Sequence, residues 1–300
     1  VYDSTDPRSA LSASAPAATG SDGIAAPEYY DFTELEPDEV SAAGSRTWIA
    51  RGQNVALAHT SPVPDDAFEP VEQASEYVLL LVHDSSSVRI AAAGETRTVS
   101  GQALVVVPPG RSEIVPTGGG DLVRLVQVDT ALAARARNAA SYAAPHPRVA
   151  LLEAWPAPVG GERIRVYPLA DIPDQPGRFG RIFRTRAFMV NFLPDWDGPR
   201  DPRKMSPHHH DDFEQLSLAV GGEFSHHIRT PWSTDMTAWR DDEHTQVASP
   251  SVTVIPPPTV HTTRATGAGT NRLIDIFSPP RADFSAQPGW VLNADDYPAP

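Results

Sequence analysis

Short apolar runs of strand length, each closed by Gly, Pro, Asp or Ser, recur along this chain from about Tyr29 onward and leave little room for anything but β structure. They include Asn54–Ala58, Tyr77–Val82, Ala103–Val107, Leu122–Val128, Phe188–Phe192, Gln215–Val220, Val252–Ile255 and Leu273–Phe277, and many are β-branched. Runs this short, with turn signals between them, predict sandwiches or barrels. The 31 prolines point the same way, because proline suits turns and strand ends and interrupts long helices. The main helical candidate is Ala131–Ala144 (ALAARARNAASYAA), which stops before Pro145 and reads as a connector near the middle of the chain.

Composition narrows the functions available. A chain of 300 residues can make one large domain or two ordinary ones and bury a core without covalent staples. Cysteine is absent, which excludes disulfides, thiolate metal sites and a cysteine nucleophile. The formal net charge of −14 argues against binding a phosphate backbone or an anionic membrane surface. Lys204 is the only lysine; the preference for Arg reads as a GC-rich coding habit, with a salt-adapted acidic surface as the alternative. No apolar run approaches the ~18–20 residues of a spanning helix. The opening VYDSTDPRSA has no Met, basic stretch or apolar core, so no secretory signal is visible and a cytoplasmic location is the expectation.

The two halves look like distant copies of one all-β unit. SEYVLLLVHD followed by VVVPPGRSEIV in the first corresponds to FEQLSLAVGG followed by VTVIPPPTVHT in the second. The second copy carries an insertion of about ten residues between its motifs, roughly PWSTDMTAWRDDEH, with Trp232, Trp239 and His244.

Pro207 to Glu214 reads PHHHDDFE, and here the chemistry concentrates. On a strand, alternate residues share a face. His208, His210 and Glu214 share one parity with the apolar Leu216, Leu218 and Val220, so two imidazoles and a carboxylate are expected to face inward. His209 has the opposite parity and is expected to face away. His226 shares its parity with Phe224 and Ile228 and is expected inside. A fourth ligand, His261, follows PPPTV after the run Val252–Ile255. Three imidazoles and a carboxylate suit one borderline divalent ion per chain (iron, manganese, nickel, cobalt or zinc) and leave positions open for substrate.

HHHDDFEQLSLAVG resembles the first motif of the cupin superfamily, His-x-His, three or four residues, Glu, six residues, Gly, through His208, His210, Glu214 and Gly221. PPPTVH resembles the second, Pro-x-Gly, two residues, His, through Pro256 and His261, with Pro258 where the family usually has Gly. The resemblance covers about residues 45–130 and 180–280 and implies a bicupin: two jelly-roll-like double-stranded β-helix barrels in tandem, with a few short helices. The implied division is a flexible tail over 1–27, a degenerate barrel over 28–130, a helical connector and linker over 131–175, and a metal-binding barrel over 176–300. In the first barrel the ligand positions fall on Pro70, Glu72, Glu76 and Glu113, a poor match to a transition-metal site. That barrel reads as a structural or dimerisation copy, or as one wall of the active pocket, and a homodimer is compatible with it.

The remaining polar features each allow two readings. His226 is a candidate acid–base residue or a packing residue. Lys204 is a substrate anchor or a surface residue. Arg178, Arg181, Arg184 and Arg186 salt-bridge the acidic body or read a substrate carboxylate. Trp232 and Trp239 line a pocket or cap a barrel end. The resemblance implies a metal-dependent dioxygenase-type oxidoreductase acting on a small organic substrate, and an aromatic or enolic one fits the tryptophans of the insert. An isomerase, decarboxylase or lyase and a non-catalytic small-molecule-binding protein are the alternatives.

Overall fold

The computed structural model describes residues 7–10, 23–69, 71–173, 175 and 177–300. Most of the tail expected over 1–27, and Pro70, lie outside the described residues. The regular structure of the described residues is mainly antiparallel strand, and the chain forms two compact units. One holds the His208–His261 segment and comprises the chain up to Leu35, Ala144–Ala154 and Asp174–Leu292; the other comprises Glu36–Ala143, Trp155–Pro173 and Asn293–Pro300. No helix of the described residues is long and apolar enough to cross a membrane.

In the histidine-bearing unit the large sheet runs in the order Glu28–Asp31, Ser251–Ile255, Gln215–Gly221, Thr270–Phe277, Met189–Phe192, Arg181–Arg184, with Trp196–Asp197 added beside Thr270–Phe277. A smaller sheet runs Glu243–Val247, Phe224–Arg229, Val260–Ala265. The two sheets meet through Ala219 and Leu273 of the larger, with Leu193 just past its Met189–Phe192 strand, and Phe224, Val247 and Ala265 of the smaller. The other unit repeats the plan. Its large sheet is Arg165–Pro168, Ala103–Val107, Tyr77–Leu81, Leu122–Gln127, Val55–Ser61, Arg46–Arg51, Glu39–Val40, and its smaller sheet is Val71–Gln73, Gly110–Pro116, Ser87–Ala92, Glu95–Ser100. Leu79, Leu81, Val105 and Val107 pack there against Val88, Ile90 and Ile114.

The repeat locates the insertion. Ser87–Ala92 and Glu95–Ser100 are joined by Ala93 and Gly94, both at positive φ, as a two-residue hairpin requires. The corresponding strands Phe224–Arg229 and Glu243–Val247 are joined by a long loop that includes the short 3₁₀ turn Met236–Ala238.

The unit boundaries differ from those read in the sequence. Glu28–Asp31, expected in the first barrel, pairs with Ser251–Ile255 and belongs to the histidine-bearing unit. The expected connector over 131–175 belongs mainly to the other unit. Its helix is only Ala131–Ala134, capped by Thr130, followed by the 3₁₀ turn Ala139–Tyr142. Asn138 explains the break: its side chain accepts from Arg51 N (2.9 Å) and donates to Arg51 O (2.8 Å), so it completes a strand rather than continuing a helix. Leu132, Ala133 and Ala136 enter the core, and Arg165–Pro168 adds an edge strand beside Ala103–Val107.

Candidate metal centre

His208 and His261 meet across an isolated antiparallel bridge in which each backbone N–H donates to the other's carbonyl (3.0 and 2.7 Å). His210 follows two residues later, outside any strand. The three rings lie 4.4–5.1 Å apart between centroids, and each offers a ligand nitrogen within 4.8 Å of the others. His208 Nδ1 donates to Ser206 O (2.9 Å) and His261 Nδ1 to Thr259 O (3.1 Å). A carbonyl can only accept, so both rings are fixed with the Nε2 lone pair free, the arrangement that orients metal-bound imidazoles. Burial first, then neighbouring positive charge, holds His208 and His210 well below the usual imidazole pKa; burial lowers His261 to about 4. All three are therefore neutral near pH 7, the form that binds a metal. This donor set fits a borderline divalent ion.

Glu214, the expected fourth ligand, does not join the group. It is buried, and its Oε1 lies 3.4 Å from His146 Nδ1. Gln215 faces the imidazoles instead: its Oε1 is 2.9 Å from His210 Nε2 and 3.4 Å from His261 Nε2. The amide's other end donates to Asp275 Oδ1 (2.9 Å), which also accepts from Ser217 Oγ (2.9 Å). That contact orients the amide, because the carboxylate takes the NH₂ end and leaves the oxygen for the rings. Asp275 itself is buried, which pushes its pKa up to about 6.

The parity argument fails here for a physical reason. Regular strand begins only at Gln215, and a bend at residues 211–212 precedes it, so alternation does not carry from His210 into the strand. Gln215 and Ser217 face the site; Leu216 and Leu218 lie on the opposite face, also fully buried. With both faces buried, hydrophobicity alone does not mark the inner one. His209 faces away, as expected, with Nε2 3.4 Å from Asp211 Oδ1.

A cavity of about 490 Å³ opens onto His208, His261, Gln215 and Asp275. Phe179, Leu193, Trp196 and Leu273 give it apolar walls, and Arg8, Arg178, Arg200 and Lys204 line it with positive charge. Arg8 was not anticipated: it is buried, donates to Ser206 Oγ (3.2 Å) and lies 3.9 Å over the Phe179 ring. Its position within a small, polar segment gave no sign of this. Lys204 is exposed at the cavity. Trp232 and Trp239 instead stack on one another at the surface, 4.8 Å apart, and do not line this cavity. His226 is fully buried, and its Nδ1 is 3.0 Å from the Oγ1 of Thr263, which lines the cavity; burial lowers its pKa to about 3.

In the other unit, none of the described residues at the corresponding positions adds an imidazole. Glu76 is buried and accepts from Tyr297 OH (2.8 Å), while Glu72 and Glu113 are exposed.

No family model matches the chain, and no curated protein matches it. Solved structures do. The formate complex of the oxalate decarboxylase of Lactobacillus farciminis is 12% identical, with 86% of this chain and 88% of that chain covered and a TM-score of 0.54. Vicilin of Corylus avellana (hazelnut) is 12% identical over 83% of this chain and 85% of that one, with a TM-score of 0.52. The 7S globulin of Momordica charantia is 14% identical over 84% of each, with a TM-score of 0.51. Identity this low establishes likeness of fold alone, and that fold is bicupin-like: two antiparallel β units of one plan in tandem. Fold neighbours with names this different leave function to the site.

Proposed function

We propose that the chain is a metal-dependent enzyme that transforms a small organic acid, with dioxygenation as the leading reaction. The observation that carries this reading is the triad of neutral imidazoles, two of them buried, of which His208 and His261 face a cavity lined by three arginines, Lys204, Asp201 and Asp275. His208, His210 and His261 would hold the ion. When bound, the ion supplies Lewis-acid or redox chemistry.

The chain's own residues account for binding and orientation. In a protein of net charge −14, a cavity lined by four cationic side chains against two carboxylates, Asp201 and Asp275, favours anions. Phe179, Trp196, Leu193 and Leu273 offer a surface for an apolar or aromatic body, and their low dielectric strengthens the charge contacts beside them. Asp275, through Gln215, holds the amide oxygen toward the imidazoles. A second reading, metal-assisted decarboxylation, is favoured by the same cationic lining, which suits a carboxylate that is itself the reacting group.

Oxygen uptake and carbon dioxide release, followed together on metal-loaded protein over a panel of aromatic and keto acids, separate these. Oxygen consumption with a ring or enol acid supports dioxygenation. Carbon dioxide without oxygen uptake moves the assignment to decarboxylation. Metal and acid bound with no turnover of any panel member would remove the enzymatic reading.

A further inference from the structure

We propose that Gln215 takes the place of the carboxylate in this centre, so that three imidazoles and an amide oxygen surround the ion without neutralising it, and the centre therefore requires an anion from the cavity. The inference rests on the metal-binding reading above and specifies what the site selects.

The geometry is direct. Gln215 Oε1 lies within hydrogen-bond range of His210 Nε2 and 3.4 Å from His261 Nε2, so the amide oxygen converges on the imidazoles. Glu214, one residue earlier, is turned to His146. An inner group of three imidazoles and one amide carries no charge, whereas a carboxylate at the same position would cancel half the charge of a divalent ion. The buried carboxylate of Asp275 stands one group further out, behind the Gln215 amide. Charge left on a buried ion is costly, and in these low-dielectric surroundings a small anion entering from the cavity is the readiest partner. Arg8, Arg200 and Lys204 lie along the way in.

The amide is held, not free to turn. Its NH₂ end is occupied by Asp275, and Asp275 is held in turn by Ser217. Exchanging the two groups, Gln215→Glu with Asp275→Asn, moves one negative charge from the outer position to the inner one. The hydrogen bond between the positions is kept, because the new Asn can donate to the new Glu. Gln215→Glu alone would set two carboxylates against each other and can fail to fold; the exchanged pair avoids that.

The test uses cobalt(II)-loaded full-length protein titrated with azide, read by the visible cobalt spectrum and by calorimetry. Wild type is expected to bind one azide per cobalt. The exchanged variant is expected to bind cobalt at least ~10-fold more tightly, as losing or gaining a supporting group around a metal commonly does, and azide at least ~10-fold more weakly, since an inner carboxylate is worth more than a tenfold at close range. Asp275→Asn alone is expected to keep azide affinity at or above wild type. Equal azide affinity in wild type and the exchanged variant would overturn this inference while leaving the metal site standing. Absence of cobalt binding by wild type would instead overturn the metal-binding reading itself.

Discussion

Glu214 and Gln215 are neighbours with opposite duties. Glu214 is buried beside His146, and Gln215 faces the imidazoles. Glu214→Gln is therefore expected to leave metal affinity within about twofold, since Glu214 does not join the group of His208, His210 and His261, and to lower stability by about 1–3 kcal/mol for disturbing a buried polar contact. Chelator competition and thermal melts check the two halves. His210→Ala is expected to lose at least ~10-fold in metal affinity, and His209→Ala to keep it. The spacing of the first motif, three or four residues before the acid, admits either position 214 or position 215, and the acidic side chain made 214 the natural choice. The bend at 211–212 is what shifts the register, and no residue type in HDDFE announces it. Asp121 poses a separate residue-scale test. Burial would raise its pKa, but contacts from His59 (3.3 Å) and His83 (3.5 Å) outweigh that and hold it well below the usual carboxylate range. A carboxyl with a depressed folded pKa adds stability above its unfolded pKa, and that contribution is lost as pH falls through the folded value. Asp121→Asn is thus expected to destabilise near pH 7 and to cost progressively less below about pH 4. Chemical denaturation across pH reads this, and a cost that is unchanged on acidification would contradict it.

Among the elements, the hairpin of Arg181–Arg184 and Met189–Phe192 shows how closely this sheet is packed. Gly180, just before it, sits at φ +76, and a Cβ there would lie 2.2 Å from Asn191 Oδ1 and 2.7 Å from Phe192 O. Gly180→Ala is expected to cost more than about 1 kcal/mol from backbone strain alone, with a lowered melting temperature as the readout. The apolar runs were legible as strands because strand length and punctuation are local properties: Tyr77–Leu81, Ala103–Val107 and Gln215–Gly221 fall where the sequence puts them. Ala131–Ala144 misled for the converse reason. Its alanines favour helix locally, but Asn138 is claimed by the edge at Arg51, a partner far away in sequence.

For the whole molecule, the tandem repeat was legible and its boundaries were not. Copies of a β unit leave matching motifs, whereas the strand that completes a sheet edge can come from anywhere in the chain. Glu28–Asp31 carries no mark that it pairs with Ser251–Ile255, and Asn293–Pro300 none that it returns to the unit of Glu36–Ala143. Tyr297 anchors that return: it is fully buried and donates to Glu76. Ending the chain after Leu292 is expected to lower the melting temperature by several degrees, as the loss of a buried aromatic and its hydrogen bond implies. An unchanged melt would mean that this segment contributes little. The central claim, a single metal centre held by His208, His210 and His261, is tested most directly by elemental analysis of metal-reconstituted wild type beside a His210→Ala, His261→Ala double variant whose fold is checked by circular dichroism. The expected result is one equivalent of divalent metal per chain in wild type and essentially none in the folded double variant; two equivalents in wild type, or one retained in the double variant, would contradict it.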